Sequence, residues 1–347
     1  MTDKPYRAAI IGLGMIGGAD QVSADKLGQR VENLDGTHAA AYQKHPRIQL
    51  VAGASRDAGR RARFSARTSA RTYPDWRDMI ERESLDIVSV ATYAPQHAEI
   101  AIACALRGIR AIYCEKPIAT NLADAERMLA ACAQHRTLLV INHQRRFNAN
   151  YRRLQRAIAT GELGELISAH VQWPSGRLGN VGTHAFDALL MLTRRRCQAI
   201  SATLDLAGKP DCRGESFHDP GGWGTFRLEG GMMATIHAPD YGKMPFQIEI
   251  NGSNARAIVK GMAVTLDYAD GHTDSWSLPA DGISGMDRAT AEIVAHLDQA
   301  SPFPYAAEEA VQVLAAIVGF HASHARNAAW TTLPLTGDDR KIEITSG

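Results

Sequence analysis

"YRAAIIGLGMIGG", residues 6 to 18, is an apolar run that ends at Gly12, with Gly14 and Gly17 close behind. An unbroken apolar strand, with no alternation of polar residues, is what a sheet covered on both faces requires. The glycines then have distinct tasks. The first allows a tight turn, the second lets a backbone approach a pyrophosphate, and the third permits close packing of helix on strand. Read in this way, Gly12, Gly14, Met15, Ile16 and Gly17 form a dinucleotide-binding turn at the end of a first strand.

Four further apolar runs follow: "IQLVAGAS" at 48–55, "DIVSVAT" at 86–92, "IRAIYCE" at 109–115 and "TLLVINH" at 137–143. Between them lie stretches with alanine, leucine and isoleucine at helical spacing, such as "PQHAEIAIACALRG" and "NLADAERMLAACAQH". Strands alternating with helices predict a parallel, doubly wound α/β domain over residues 1–120, its boundary falling between about 120 and 145. The texture then changes. "ELISAHVQW", "GTFRLEGGMMATIHA" and "FQIEINGSNARAIVKGMAVTLDY" are short β-rich runs separated by glycine-containing turns, and no long helical pattern interrupts them between Thr193 and Ser284. Residues 121–347 are therefore expected to form an α+β domain with a large, mostly antiparallel open sheet. Two late helical stretches, "GMDRATAEIVAHLDQA" and "AAEEAVQVLAAIVGFHASHA", complete it.

The second strand ends Ala54-Ser55-Arg56, where an acid would pair with the ribose of NAD. A hydroxyl and a guanidinium suit a 2′-phosphate instead, so Ser55 and Arg56 favour NADP over NAD. The span between residues 18 and 36 exceeds what one helix requires. It reads as an insertion at the phosphate-binding turn, expected along the cofactor or substrate cleft. The short cluster Arg60, Arg61 and Arg63 reads as a solvated helix face.

Composition narrows the function. A net charge of +1 supplies no field for nucleic acid or an anionic membrane. No run of 18 apolar residues spans a bilayer and no secretory segment opens the chain. The five cysteines form no CxxC pair and no metal-ligand spacing, which fits a reduced cytoplasmic setting and no bound metal. The protein is expected to be soluble.

The string Glu115-Lys116-Pro117 follows the fourth strand, where proline forces a turn that aims the lysine away from the sheet. Together with the glycine turn, "ATYAPQHAEIA" at 91–101, "NHQRRF" at 142–147, "GELGEL" at 161–166 and "GTHAFDALLML" at 182–192, it closely resembles the Gfo/Idh/MocA oxidoreductase family. The resemblance implies that Thr92, Pro95 and His97 line the ribose and nicotinamide. It implies that Glu115 and Lys116 carry the family signature, with Lys116 between nicotinamide and substrate hydroxyl. It also makes His184 the active-site histidine and Asp187 the acid one turn later. Asn180 stands where many members carry a catalytic aspartate.

The residue chemistry agrees. Oxidising a carbinol needs a base for the hydroxyl proton, which His184 can supply, and a cation to steady the alkoxide, which Lys116 can supply. Asp187 is placed either to orient the imidazole or to face a core. Asn180 cannot take a proton at neutral pH and is expected to orient substrate or imidazole. Trp173 offers a ring face, and Arg146 and Arg177 offer donors, for a sugar, polyol or cyclitol derivative. The expectation is an NAD(P)-dependent oxidoreductase, dimeric or tetrameric through the C-terminal sheet. Two other readings share these residues: a dinucleotide-binding sensor without turnover, and net non-redox sugar chemistry with a recycled nicotinamide.

Overall fold

The computed structural model describes residues 4–22, 36–207, 217–240, 244–277 and 281–346. It forms two compact units. The first comprises residues up to Ala119 together with Asp124–Gln144 and Ile283–Glu308, and the second comprises Thr120–Ala123, Arg145–Gly282 and the chain from Glu309 onward.

The first unit is built on a six-stranded sheet. Its strands are β1 (Tyr6–Ile11), β2 (Ile48–Ala54), β3 (Arg71–Tyr73), β4 (Ile87–Val90), β5 (Ala111–Cys114) and β6 (Leu138–Ile141), in the order β3-β2-β1-β4-β5-β6. Every pairing is parallel. The buried runs in β1, β4 and β5 follow from helices on both faces, so alternation is lost where water is absent. Strand β3 is an addition to the five strands expected, because three residues on an edge leave too little apolar pattern to detect. The strand order reverses between β1 and β4, and ligands bind doubly wound sheets at the carboxyl ends flanking such a reversal.

The late helix Gly285–Leu297 also belongs to this unit, although its place in the sequence put it with the second domain. Polar contacts hold it there. Asp298 accepts hydrogen bonds from Tyr6 (2.7 Å) and Arg47, Lys44 pairs with Asp287 at 2.9 Å, and Arg110 donates to the carbonyl of Leu297. These partners lie hundreds of residues away in sequence, so no local pattern announces them.

The second unit is a nine-stranded sheet: β7 (Leu166–Gln172), β8 (Cys197–Asp205), β9 (Gly221–Leu228), β10 (Met233–Ala238), β11 (Gln247–Gly252), β12 (Ala255–Lys260), β13 (Ala263–Tyr268), β14 (Thr273–Trp276) and β15 (Thr331–Thr332). The order is β14-β13-β12-β11-β7-β10-β9-β8-β15, with β7 and β10 parallel and the other neighbours antiparallel. Alternation is clear: Ala169 and Val171 of β7, and Ala234 and Ile236 of β10, are buried, whereas their neighbours, such as His170 and Thr235, are more exposed.

Helices Thr183–Thr193 and Glu308–Ala325 cover the buried face of this sheet. Phe186 from the first helix, Phe320 from the second and Phe226 from β9 interlock, with ring centroids 4.8 Å apart for Phe186 and Phe226 and 6.4 Å for Phe186 and Phe320. Beyond the two-residue β15, the edge of β8 is covered by side chains: Ala202 N–H donates to Ser323 Oγ (2.8 Å), and Leu204 N–H donates to His324 Nδ1 (3.2 Å). Among the described residues no helix is long and apolar enough to cross a membrane.

Truncating the wholly buried Phe186 removes the ring shared by Trp173, Phe226 and Phe320. Phe186→Ala is expected to cost about 3–5 kcal/mol of unfolding free energy, read by chemical denaturation.

Candidate active site

The first unit gathers three chain segments at the carboxyl ends of β1, β4 and β5. At β1 the turn is shaped by what it excludes. Gly12 has φ +98°, and a Cβ there would lie 2.3 Å from the carbonyl oxygen of Ala91 at the end of β4. A Cβ on Gly17 would lie 2.0 Å from the Gly12 oxygen. Gly14 is different, because its Cβ would meet only Arg60 Nη1 at 3.9 Å. The outer glycines are thus needed for packing, while Gly14 leaves open space toward which a phosphate can approach the backbone. The helix after the turn is a single turn, Met15–Gly18, ending at Ala19 in the left-handed region. Residues 23–35 of the expected insertion lie outside the described residues.

At the end of β2, Arg56 is exposed and Ser55 half-buried. Asp57, which follows them, is used as a cap: its Oδ1 accepts from Arg60 N–H at 2.8 Å at the start of helix Ala58–Thr68. The arginines of that helix are not a free solvated face. Arg61 donates to the carbonyls of Ser55 (2.6 Å) and Arg56 (2.9 Å), and Arg63 makes a two-pronged pair with the buried Asp20 (2.8 Å each). Arg67 reaches the Gly18 carbonyl at 2.6 Å. Guanidinium geometry thus ties the helix to the glycine turn and to the ribose end of β2.

In the β4 loop Thr92 is half-buried and Pro95 exposed. His97, expected to line the cofactor beside them, is only 1% exposed. Its Nδ1 lies 2.9 Å from the Pro117 carbonyl and its Nε2 lies 3.0 Å from the Thr92 carbonyl. The ring braces the two loops from beneath instead of presenting itself to a ligand. Burial holds its pKa below the ordinary histidine value, against the opposing pull of the two carbonyls and Glu115.

Beyond β5, Glu115 and Lys116 are both half-buried, and the Lys116–Pro117 peptide is cis. Glu115 Oε1 accepts from Asn142 Nδ2 at 2.7 Å and faces His38 Nε2 at 3.1 Å. Burial alone would raise the Glu115 pKa. The His38 and Asn142 contacts and the Lys116 charge outweigh it, so the carboxyl sits below its usual range. His38 and Asn142 were not singled out in the sequence; only the position of Asn142 in "NHQRRF" was a signal.

In the second unit the stretch around His184 begins with a wide π-helical turn, Leu178–Gly182, before the α-helix Thr183–Thr193. Arg177, at φ +59°, accepts through its carbonyl from Val181 N–H (2.7 Å) and Gly182 N–H (3.0 Å). Such turns are rare and concentrate at functional sites. Buried Asp219 fastens this one: its carboxylate accepts from Gly179 N–H at 2.8 Å and Asn180 N–H at 2.9 Å. Asp219 was legible only as an acid before a proline. Asn180, Arg177 and His184 are half-buried, whereas Asp187 is fully buried.

Asp187 is paired with Arg146. Its Oδ1 accepts from Arg146 Nε (2.8 Å) and Nη2 (2.7 Å), and Arg146 Nη1 pairs with Glu309 at 2.7 Å. Burial pulls the Arg146 pKa down, but the two carboxylates push it further up, above the ordinary arginine value. Arg146, 4% exposed, is therefore committed to this triad rather than offered to a substrate. Trp173, expected to present a ring face, is also wholly buried. Its Nε1–H donates to the Gly176 carbonyl at 2.6 Å, and its ring meets Phe186 edge-on at 5.8 Å.

Comparison with known proteins gives matches in sequence and in fold. Residues 6–143 match the family described as GFO_IDH_MocA, oxidoreductase family, NAD-binding Rossmann fold. This N-terminal region is similar to the Gfo/Idh/MocA oxidoreductase family. Over 165 residues it is 31% identical to inositol 2-dehydrogenase 3 of Saccharopolyspora erythraea, covering 47% of this chain and 44% of that protein. Over 175 residues it is 34% identical to D-apiose dehydrogenase of Paraburkholderia graminis, covering 50% and 42% respectively. The matches thus span less than half the length of these relatives. The whole fold resembles an inositol dehydrogenase homologue from Azotobacter vinelandii, solved with NADH and myo-inositol, at TM-score 0.78 and 18% identity over 95% of this chain and 98% of that one.

Removing Asp187 leaves a buried guanidinium with Glu309 as its remaining carboxylate in the triad. Asp187→Ala is expected to destabilise the protein by about 3–5 kcal/mol in denaturant unfolding. Unchanged stability would return Asp187 to the role of orienting His184.

Proposed function

We propose that this protein is an NAD(P)-dependent oxidoreductase that interconverts a carbinol and a ketone on a sugar, polyol or cyclitol, with an N-terminal cofactor-binding domain and a C-terminal substrate-binding domain. The observation that carries the reading is the convergence, at the carboxyl ends of β1, β4 and β5, of a glycine turn closed to a Cβ at Gly12 and Gly17, the Thr92–Pro95 loop and the Glu115–Lys116 pair. The open space over Gly14 and the adjacent Arg60 fit a dinucleotide pyrophosphate. Gly12, Gly14, Met15, Ile16 and Gly17 would hold it, with Thr92 and Pro95 toward the nicotinamide.

When bound, the nicotinamide supplies the acceptor or donor of hydride. Lys116 Nζ steadies the negative charge that develops on the substrate oxygen, and the imidazole of His184 takes up or returns the hydroxyl proton. Asn180 orients one or the other through its amide. Arg177 supplies donors to substrate hydroxyls. Sugar and cyclitol substrates are favoured by the names of the relatives matched, an inositol dehydrogenase and an apiose dehydrogenase. We further assign self-association, as a dimer or tetramer, to the polar outer face of the nine-stranded sheet.

NADP is the favoured cofactor, because Arg56 stands exposed at the tip of β2 and the nearest acid, Asp57, is engaged as a helix cap. Titration of both cofactors by fluorescence is expected to give tighter NADP binding in wild type and a weakened NADP affinity in Arg56→Ala, with NAD affinity unchanged. Equal NADP affinity in the two proteins refutes the assignment.

A screen of polyols and sugars, followed at the reduced-nicotinamide absorbance, tests the activity itself. With the substrate found, Lys116→Ala and His184→Ala are each expected to lower kcat roughly 10²–10⁴-fold while cofactor affinity is retained, as for loss of a general acid or base. Asn180→Ala should fall less, since no proton acceptor is lost. Absence of cofactor reduction by every polyol and sugar would leave a binding protein.

A further inference from the structure

The turn that leads into the His184 helix is capped from outside its own segment. The first N–H groups of a helical stretch have no partner within it, and a side-chain oxygen at the N-cap ordinarily accepts from one of them. Here the N-cap is Arg177, whose guanidinium has no acceptor to offer and makes no cap bond. Bonds within the turn begin at Val181 and Gly182, both donating to the Arg177 carbonyl. The three N–H groups before them are taken by two successive residues some 40 positions further along the chain. Leu178 N–H donates to the Pro220 carbonyl (2.9 Å), Gly179 N–H to Asp219 Oδ1 (2.8 Å) and Asn180 N–H to Asp219 Oδ2 (2.9 Å).

Asp219 and Pro220 stand on fixed ground. Gly221 opens β9, and a Cβ there would collide with the Ala238 carbonyl at the end of the paired strand β10 and with the Cα of Gly176. The loop before the turn is held at the same place: Gly176 N–H donates to the Pro239 carbonyl at 3.2 Å, and Ser175, Gly176 and Arg177 adopt left-handed φ of +70°, +53° and +59°. Two of these three are not glycine, a conformation that persists only where the surroundings impose it. The opposite side of the turn is closed as well. A Cβ on Gly179 would lie 2.5 Å from the Thr345 carbonyl oxygen and 2.9 Å from Ser346 Cβ, and Ile344 and Ser346 are themselves buried.

Packing therefore requires glycine at 179, and glycine brings a freedom that must be removed. With φ and ψ of Gly179 unrestricted by a side chain, the residue after it can swivel. The N–H groups of Gly179 and Asn180 flank those two dihedrals, and Asp219 holds both, one on each carboxylate oxygen. A single acceptor would fix one end of the joint. Two oxygens of one buried carboxylate fix the joint itself, through the stronger bonds that a carboxylate makes with backbone N–H. Half-buried Asn180 thus leaves the backbone in one direction.

We propose that Asp219 is a positioning residue of the active site: by locking the Gly179 joint it aims the Asn180 amide, and it acts on turnover through Asn180. The role rests on the oxidoreductase function proposed above, in which Asn180 orients substrate or imidazole. A cap that served helix stability alone would need neither a second oxygen nor an anchor on β9, since a serine or aspartate at position 177 would supply it.

Two measurements test this. The first is hydrogen exchange of the Asn180 backbone N–H in the full-length protein without added ligand, read by NMR. Gly179-Asn180 is the one Gly-Asn pair in the sequence, so labelling glycine at the carbonyl carbon and asparagine at nitrogen isolates that signal. Exchange is expected to be at least about tenfold faster in Asp219→Ala than in wild type, as for loss of a hydrogen bond to a charged group. The second is kcat with the substrate found by the polyol screen. Asp219→Ala is expected to lower kcat several-fold, by no more than Asn180→Ala does, with cofactor affinity retained. In the Asn180→Ala background the same change should lower kcat by less than about twofold more, because the group it acts through is already gone. Should thermal unfolding show that Asp219→Ala does not fold, Asp219→Leu, similar in shape and without an acceptor, carries both measurements. Unchanged exchange, unchanged kcat, or losses that multiply in the double variant overturn the role of Asp219 alone. A wild type that oxidises no polyol or sugar overturns the function and this role together, whatever the exchange shows.

Discussion

The first unit depends on an approach of backbone to backbone that no side chain tolerates. The Gly12 turn lies so close to the end of β4 that a Cβ would collide with the Ala91 carbonyl, and Gly17 lies as close to Gly12 itself. Because of that contact, the loops leaving β1 and β4 diverge from one place, the point where the strand order reverses. A small side chain at either glycine would push the turn off the sheet. The half-buried Thr92 and the Pro117 carbonyl that follows Lys116, held together by the two-sided bonds of His97, would lose their common reference.

Charge inside the protein is used for position before it is used for chemistry. Arg63 with Asp20 ties a helix to the glycine turn, and Arg146 with Asp187 and Glu309 ties the "QRRF" turn to the helix that carries His184. Both Arg146 bonds reach Asp187 Oδ1, so the pair fixes that carboxylate to the turn. Such pairs contribute less net stability than their geometry suggests, but breaking one strands a charge in a low-dielectric interior. Glu115 links the two uses of charge, being fixed by His38 and Asn142 on one side and adjoining Lys116 on the other.

The unbroken apolar runs, the glycine spacing and the change to short alternating strands were enough to predict a parallel doubly wound sheet followed by a mostly antiparallel one. These features are local: a strand buried on both faces must be apolar throughout, and a turn with positive φ selects glycine within a few residues. The turn bearing Gly12 was legible for the same reason, whereas Thr92, Lys116 and His184 were picked out by the ordered motifs that resemble an oxidoreductase family. The three-residue β3 was not, because an edge so short carries no period.

Tertiary structure alone decided which polar residues face one another. Trp173, Arg146 and Asp187 looked like substrate ligands, since a large or charged side chain near a candidate histidine reads as functional until its partners are known. Packing gave Trp173 the edge of Phe186 and the Gly176 carbonyl, and gave Arg146 two carboxylates, one of them from Glu309 far along the chain. The same holds for helix Gly285–Leu297, drawn to the first unit by Tyr6, Lys44 and Arg110, and for His38, whose partners come from β4 and β5. Hydrogen bonds and ion pairs act over about 3–4 Å and are indifferent to sequence separation. Periodicity therefore determines which elements form and which face is buried, while the pairing of individual polar groups is set only when distant elements meet.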